Sequence, residues 1–320
     1  MLWVKSWRKR PSLPLTGILL LAFALRLYGL ASQNLWWDEL KTWERATMPL
    51  NEMLKDLFSI RDQVPFYYWL MRFWAQIGTE AIILRLFSVY LGTASVALLY
   101  QIGRRLGGLT TGLLAAFLLA ISPFHIWYSQ EVRMYALLPG LLLLAHFCLL
   151  RLLEKNRLPL WLVYGLVMTA ALYTHYFAFF VVLVHYIFFV LHFRQLRRQT
   201  INWFITMLAV GAAFAPWVAL VLRQTDGYST AVPDWINHIQ WIDLPLTFTV
   251  FAAGFGLGRA SWLAAIAAAI LLVGIGSSLP FLQRQETTSA PLSAQTLHSR
   301  LLFIWFSLPL TLCFLVSLES

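Results

Sequence analysis

Three short stretches put residues able to do chemistry among aromatic neighbours. The first is Leu35-Trp36-Trp37-Asp38-Glu39. Adjacent carboxylates can divide labour, one accepting a proton from an attacking hydroxyl while the other serves as partner or metal ligand. The second is Ser129-Gln130-Glu131-Val132-Arg133-Met134-Tyr135. The Arg133 guanidinium offers a planar fork of donors suited to phosphate oxygens, with Gln130, Glu131 and Tyr135 beside it. The third is Tyr173-Thr174-His175-Tyr176-Phe177, a lone imidazole in an aromatic setting. Each has a plainer reading. Asp38 and Glu39 can be solvated acids on a surface helix, Glu131 and Arg133 a local ion pair, and His175 a packing residue. Arg26 and Arg85 are read as side chains snorkelling from span ends to lipid headgroups.

The elements that must position these residues are set by composition. The chain has 320 residues, of which 60% are hydrophobic and 12% charged, against about half and about a quarter in soluble domains. Runs near the ~20 apolar residues that cross a bilayer recur along it. The first follows Lys5, Arg8, Lys9 and Arg10 and runs from about Leu13 to Ala31. It is long for a signal-peptide core and no small-x-small cleavage site follows, so it reads as an uncleaved first span. Further spans are expected near 82–103, 106–123, 135–150, 159–174, 177–193, 202–222, 261–280 and 301–318, about nine in all. The fold class is therefore all-α, a polytopic membrane helical bundle. Residues 33–80 break the pattern with seven acids and many tryptophans. They read as a large first outer loop of short amphipathic helices at the membrane interface. Residues 223–260 read as a second outer loop, 281–300 as a cytoplasmic linker, and 1–320 as one domain.

Charge fixes the orientation. The loops assigned to the cytoplasm hold fourteen Lys and Arg residues against Glu154 and Glu286 alone, the bias of the positive-inside rule. The N-terminus is thus expected inside, in the inner (plasma) membrane, with the three stretches on the extracytoplasmic side. Basic loops beside anionic lipid account for the net charge of +10 without nucleic acid. Cys148 and Cys313 lie in apolar runs and predict neither disulfide nor metal site.

The run from Arg26 through Trp36-Trp37-Asp38-Glu39, then Asp62-Gln63-Val64-Pro65-Phe66-Tyr67-Tyr68, Gly103-Arg104-Arg105-Leu106, the segment 122–137 and the segment 171–177 resembles a bacterial family of membrane glycosyltransferases. That family is related to the protein O-mannosyltransferases and the lipid A aminoarabinose transferases, in the C-type superfamily. The resemblance covers roughly residues 15–220. It implies a helical bundle with interfacial helices in its first outer loop and a sugar on a polyprenyl phosphate as donor. It also implies an early acid of that loop, Asp38 with Glu39 beside it, as the catalytic residue, and Arg133 as a contact to the donor phosphate. Relatives often carry His-Pro-Pro or Lys-Pro-Pro where this chain has Gln63-Val64-Pro65, so a metal or phosphate contact there is not implied and no cofactor is expected. Relatives also extend beyond the ninth span, so the chain reads as C-terminally shortened.

The expected reaction is transfer of a hexosyl or pentosyl group from a polyprenyl-phosphate sugar to a hydroxyl of a glycan, lipid or protein acceptor, with inversion. Carboxylates are weak bases for hydroxyls, so Asp38 would accept the proton in concert with bond breaking. Arg133 would stabilise the departing phosphate, with Gln130, Glu131 and Tyr135 around it. His175 and Asp62 are candidate substrate contacts. Two other readings stand beside this one: a transporter or flippase of lipid-linked sugars, which would need the arginine but no base, and an inactive shortened relative. The absence of an internal repeat argues against a transporter.

Overall fold

In the computed structural model, residues 12–60, 63–223 and positions 297, 300 and 301 are described. Between residues 12 and 222 the described residues form ten helices, α1 (Ser12–Leu27), α2 (Trp37–Thr47), α3 (Leu50–Ile60), α4 (Phe66–Trp74), α5 (Ala81–Ala120), α6 (Pro123–Tyr128), α7 (Leu137–Glu154), α8 (Leu158–Leu172), α9 (Ala178–Leu191) and α10 (Arg197–Leu222). No strand occurs among the described residues. The helices α5, α7 and α10 are long and apolar enough to cross a membrane, and α1, α8 and α9 are shorter apolar helices. Each span expected between residues 13 and 222 has a helical counterpart. The expected spans at 261–280 and 301–318, the second outer loop and the linker lie outside the described residues.

The 40 residues of α5 are two limbs. A straight helix of that length would run about 60 Å, twice a hydrocarbon core. The chain instead reverses at Gly108, whose φ of 86° only glycine adopts cheaply. The limbs then touch backbone to backbone: a Cβ on Gly112 would lie 2.8 Å from the Tyr100 carbonyl oxygen. The next helix, α6, is missing from the hydropathy reading, although its start carries a recognisable signal. Ser122 caps it by accepting the His125 amide at 3.4 Å, and Pro123 follows within the first turn.

Packing proceeds in a chain of neighbours. The helix α1 lies on α5, α5 on α7, α7 on α8, and α8 on α10. A central apolar cluster includes Leu149, Tyr164, Met168, Phe188, Phe189 and Trp203. Within it the Trp203 indole donates to the Tyr164 hydroxyl at 3.0 Å, and that hydroxyl is 2.8 Å from His185 Nδ1. A second cluster ties α2–α4 to the bundle. Met53 and Leu57 of α3 and Tyr67, Tyr68 and Met71 of α4 pack with Leu84, Val132, Met134 and Leu137. The amphipathic α2–α4 helices therefore pack against the α6–α7 connection, 133 included.

Candidate functional site

Asp38 and Glu39 open α2, and helical geometry sends neighbouring side chains about 100° apart. Glu39 turns inward and is fully buried. Its Oε1 accepts from Arg85 Nε at 2.9 Å and from the Val132 amide at 2.8 Å; Oε2 accepts from Arg85 Nη2 at 2.6 Å. It also takes the Trp36 amide at 3.3 Å, satisfying one of the free donors at the start of α2. Arg85 completes its shell on the carbonyls of Leu30, Gln33 and Asn34. Asp38 turns the other way, with its side chain 37% exposed, and its Oδ2 lies 3.7 Å from Arg133 Nη2.

Arg26 and Arg85 do not snorkel. They are 0% and 5% exposed, and both face protein. Arg26 donates to the carbonyls of Ala22, Ala120 and Leu119, to His125 Nδ1 at 2.7 Å, and to Ser129 Oγ. The Leu119 and Ala120 carbonyls end α5, where a helix leaves acceptors open and favours a cation. Burial, then the Arg26 charge, lowers the His125 pKa to about 3, so this imidazole is a neutral acceptor.

Arg133 is equally buried, at 6% exposure, but differently partnered. Its Nη1 reaches the Tyr68 hydroxyl only at 3.4 Å, and its Nε has no hydrogen-bond partner. Its guanidinium lies 5.7 Å from the Tyr135 ring centroid. Glu131 and Arg133 do not form a close ion pair; among the described residues Asp38 is the acid nearest the guanidinium, at 3.7 Å. The Glu131 carboxylate instead accepts from Trp127 Nε1 at 2.7 Å through Oε1, while Oε2 is buried without a partner. Burial raises the Glu131 pKa to about 7; the nearby carboxylates of Glu39 and Asp38 add to the rise, and Trp127 and Arg133 oppose it.

Gln130 donates through Nε2 to the carbonyls of Arg26 and Tyr28, tying this turn to the end of α1. His175 lies in the α8–α9 turn, where Nδ1 accepts the Phe177 amide at 3.1 Å. Burial and then the Arg133 charge lower its pKa, so the ring is disfavoured as a cation. Asp62 lies outside the described residues. Among the described residues no three His, Cys, Asp or Glu side chains converge on a metal-binding geometry.

Two hollows flank this assembly. A cleft of about 660 Å³ is lined by Tyr28, Ser32, Gln33, Trp36, Glu39, Arg85, Trp127, Tyr128, Gln130, Glu131 and Tyr135, with the backbone of Gly29 and Leu30. An apolar groove of about 390 Å³ runs between α3, the start of α4 and α8, lined by residues such as Met53, Leu54, Phe66, Trp69, Leu166 and Tyr173. Sequence reasoning missed Tyr68, Trp127 and the saturated role of Arg85. Only the Trp-rich composition of 33–80 hinted at the aromatic walls.

The family model for dolichyl-phosphate-mannose-protein mannosyltransferases matches residues 62–220. No curated protein matches the chain. Among solved structures, the archaeal oligosaccharyltransferase AglB from Archaeoglobus fulgidus, in complex with an inhibitory peptide and a dolichol-phosphate, is similar at a TM-score of 0.40 and 17% identity. The alignment covers 100% of this chain and 38% of that one, so the chain spans well under half the length of AglB. Over residues 62–220, just under half of its length, the chain is thus similar to the dolichyl-phosphate-mannose-protein mannosyltransferases.

Proposed function

We propose that the protein transfers a sugar from a polyprenyl-phosphate carrier to an acceptor hydroxyl, with inversion, at the extracytoplasmic face of the cell membrane. One observation carries the reading. Arg133 is buried yet leaves its Nε without a partner, and it reaches the Tyr68 hydroxyl and the partly exposed Asp38 only at 3.4 and 3.7 Å. A buried guanidinium with spare donors is costly unless a ligand completes it. A phosphate suits it in charge and in fork geometry.

In this reading the donor phosphate takes the open donors of Arg133. Its polyprenyl chain lies in the apolar groove, which Phe66 lines at the start of α4, the helix whose Tyr68 hydroxyl reaches Arg133. The acceptor oxygen attacks the anomeric carbon as the carbon–phosphate-oxygen bond breaks. Its proton passes to Asp38, and the electron pair leaves on the phosphate, where Arg133 stabilises the charge. Glu39 takes no proton. With Arg85 it sets the direction of α2 and hence of Asp38. Residues 1–320 act as a single transferase domain, and no metal step enters this mechanism.

The test is transfer by purified full-length protein in nanodiscs, with a panel of polyprenyl-phosphate hexoses and pentoses as donors and a membrane lipid extract and peptides as acceptors. A labelled product from one donor, absent with Arg133→Ala, is the expected result. Carriage of the intact lipid-linked sugar across the bilayer without a new glycosidic bond would replace the enzyme with a transporter.

A further inference from the structure

The 660 Å³ cleft is not explained by the Asp38–Arg133 pair, since neither residue lines it. Tyr135 is part of its wall, and the centroid of that ring is 5.7 Å from the Arg133 guanidinium. Three of its aromatic side chains stand out from the protein: Tyr28 is 84% exposed, Trp36 47% and Trp127 50%. Scattered over a convex surface, such rings would read as an interfacial belt. Here they face one concavity together with Tyr128, Tyr135 and the polar groups of Ser32, Gln33, Gln130 and Glu131.

That mixture has a specific chemistry. A pyranose presents C–H groups on its faces, which pack on the negative face of an aromatic ring, and hydroxyls around its edge, which need paired donors and acceptors. The cleft size falls within the range of small-molecule sites. Glu131 supplies the directional element: Trp127 fixes Oε1, while Oε2 is screened from water and lacks a donor. A buried carboxylate oxygen without a donor is unfavourable until something supplies one. The terminal torsion of a Glu side chain is broad, so a small turn brings Oε2 to a ligand hydroxyl.

We infer that this cleft is a sugar-binding subsite, with Trp36 and Trp127 stacking on a pyranose ring and Glu131 accepting from one of its hydroxyls. The choice of ligand rests on the transferase reading above, and the ring can belong either to the lipid-linked donor or to a glycan acceptor. Because Tyr135 lines the cleft and its ring centroid is 5.7 Å from the Arg133 guanidinium, the subsite holds the sugar beside the phosphate contact. Glu131 in this role positions substrate, while the proton transfer stays with Asp38.

The experiment measures binding to full-length protein in nanodiscs, without requiring turnover. The probes are polyprenyl-phosphate mannose, bare polyprenyl phosphate, and methyl glycosides of mannose, glucose, galactose and arabinose followed by tryptophan fluorescence. The variants are Glu131→Gln, Trp36→Ala and Trp127→Phe, each checked for unchanged elution and thermal midpoint. For a donor sugar, the variants weaken the mannosyl lipid about tenfold or more and leave bare polyprenyl phosphate unchanged. For an acceptor sugar, both lipids bind as before, while saturable quenching by a methyl glycoside is lost about tenfold. Wild-type protein that binds both lipids equally and no methyl glycoside would overturn the inference. So would folded variants that bind every probe as the wild type does. Sugar binding without transfer would keep the subsite and sink the transferase reading; transfer unaffected in all three variants would do the reverse.

Discussion

Of the four arginines buried among the described residues, Arg45 pairs with Asp56 at 2.7 Å, and the other three, Arg26, Arg85 and Arg133, are built in two ways. Arg26 and Arg85 each use all five N–H donors, Arg26 on four α1, α5 and α6 acceptors plus Ser129, Arg85 on three carbonyls and both oxygens of Glu39. Arg133 is buried to the same degree but leaves Nε open and touches Asp38 only at 3.7 Å. Burial alone therefore does not distinguish structure from function. A charge whose bonding capacity is spent inside the protein holds the fold, and a charge with capacity left over is available to a ligand.

Substitution can break this comparison at several points. The largest effect is expected at the saturated pair. Arg85→Ala strands Glu39 as a buried unpaired carboxylate, at a cost of about 3–5 kcal/mol. The variant should lose its monodisperse elution and expression, whereas Arg133→Ala should retain both. Equal folding by the two variants would remove the distinction. Next comes donor affinity. It should fall in the order wild type, Arg133→Lys, Arg133→Ala, because lysine keeps the charge but not the fork; lipid-binding isotherms read the order, and three equal affinities would return Arg133 to a structural role.

A moderate loss is expected at the Arg26 node. A Cβ at Gly92 would collide with the Ser129 side chain and approach Arg26 Nε to 3.0 Å. Gly92→Ala should therefore lower the thermal midpoint by an amount equivalent to about 1–3 kcal/mol, as overpacking does. An unchanged midpoint would mean that the node is looser than its hydrogen bonds suggest. The smallest effect concerns pH. Burial holds the Glu131 proton up to about 7, so the group is neutral below that value and a carboxylate above it. A hydroxyl bonds more strongly to the charged form. Sugar affinity should rise a few-fold as pH climbs through about 7 and be flat in Glu131→Gln; parallel profiles in the two proteins would remove Glu131 from the cleft's chemistry.

Much of the bundle was legible in the sequence because hydropathy reports directly on span-length apolar runs. Each run between residues 13 and 222 reappears as a helix or a limb of α5. The reversal inside α5 is expected as a break between the spans 82–103 and 106–123 and falls at Gly108, whereas the short α6 is missed, since Ser122-Pro123 is a local backbone signal that an averaged window erases. The candidate residues of the site were legible as types but not as roles. Nothing in the pair Asp38-Glu39 says which acid turns inward; that is decided by Arg85, 46 positions from Glu39, and by the Val132 amide, 93 positions away. Arg26 and Arg85 misled for the same reason, because a snorkelling arginine and a buried one look alike until their distant partners are known. The cleft was invisible, being assembled from the end of α1, residues 32–39 and residues 127–135.

The central claim is that Asp38 serves the reaction and Glu39 the fold, and transfer by Asp38→Asn tests it most directly. The side chain is 37% exposed, so the substitution should shift stability by less than about 0.5 kcal/mol. Removing the proton acceptor should slow transfer about a hundred-fold or more. With purified protein and the polyprenyl-phosphate donor that the wild type uses, Asp38→Asn should elute normally, bind donor normally, and form product at about one per cent of the wild-type rate or less. Product formation near the wild-type rate by a normally folded Asp38→Asn protein would contradict the account.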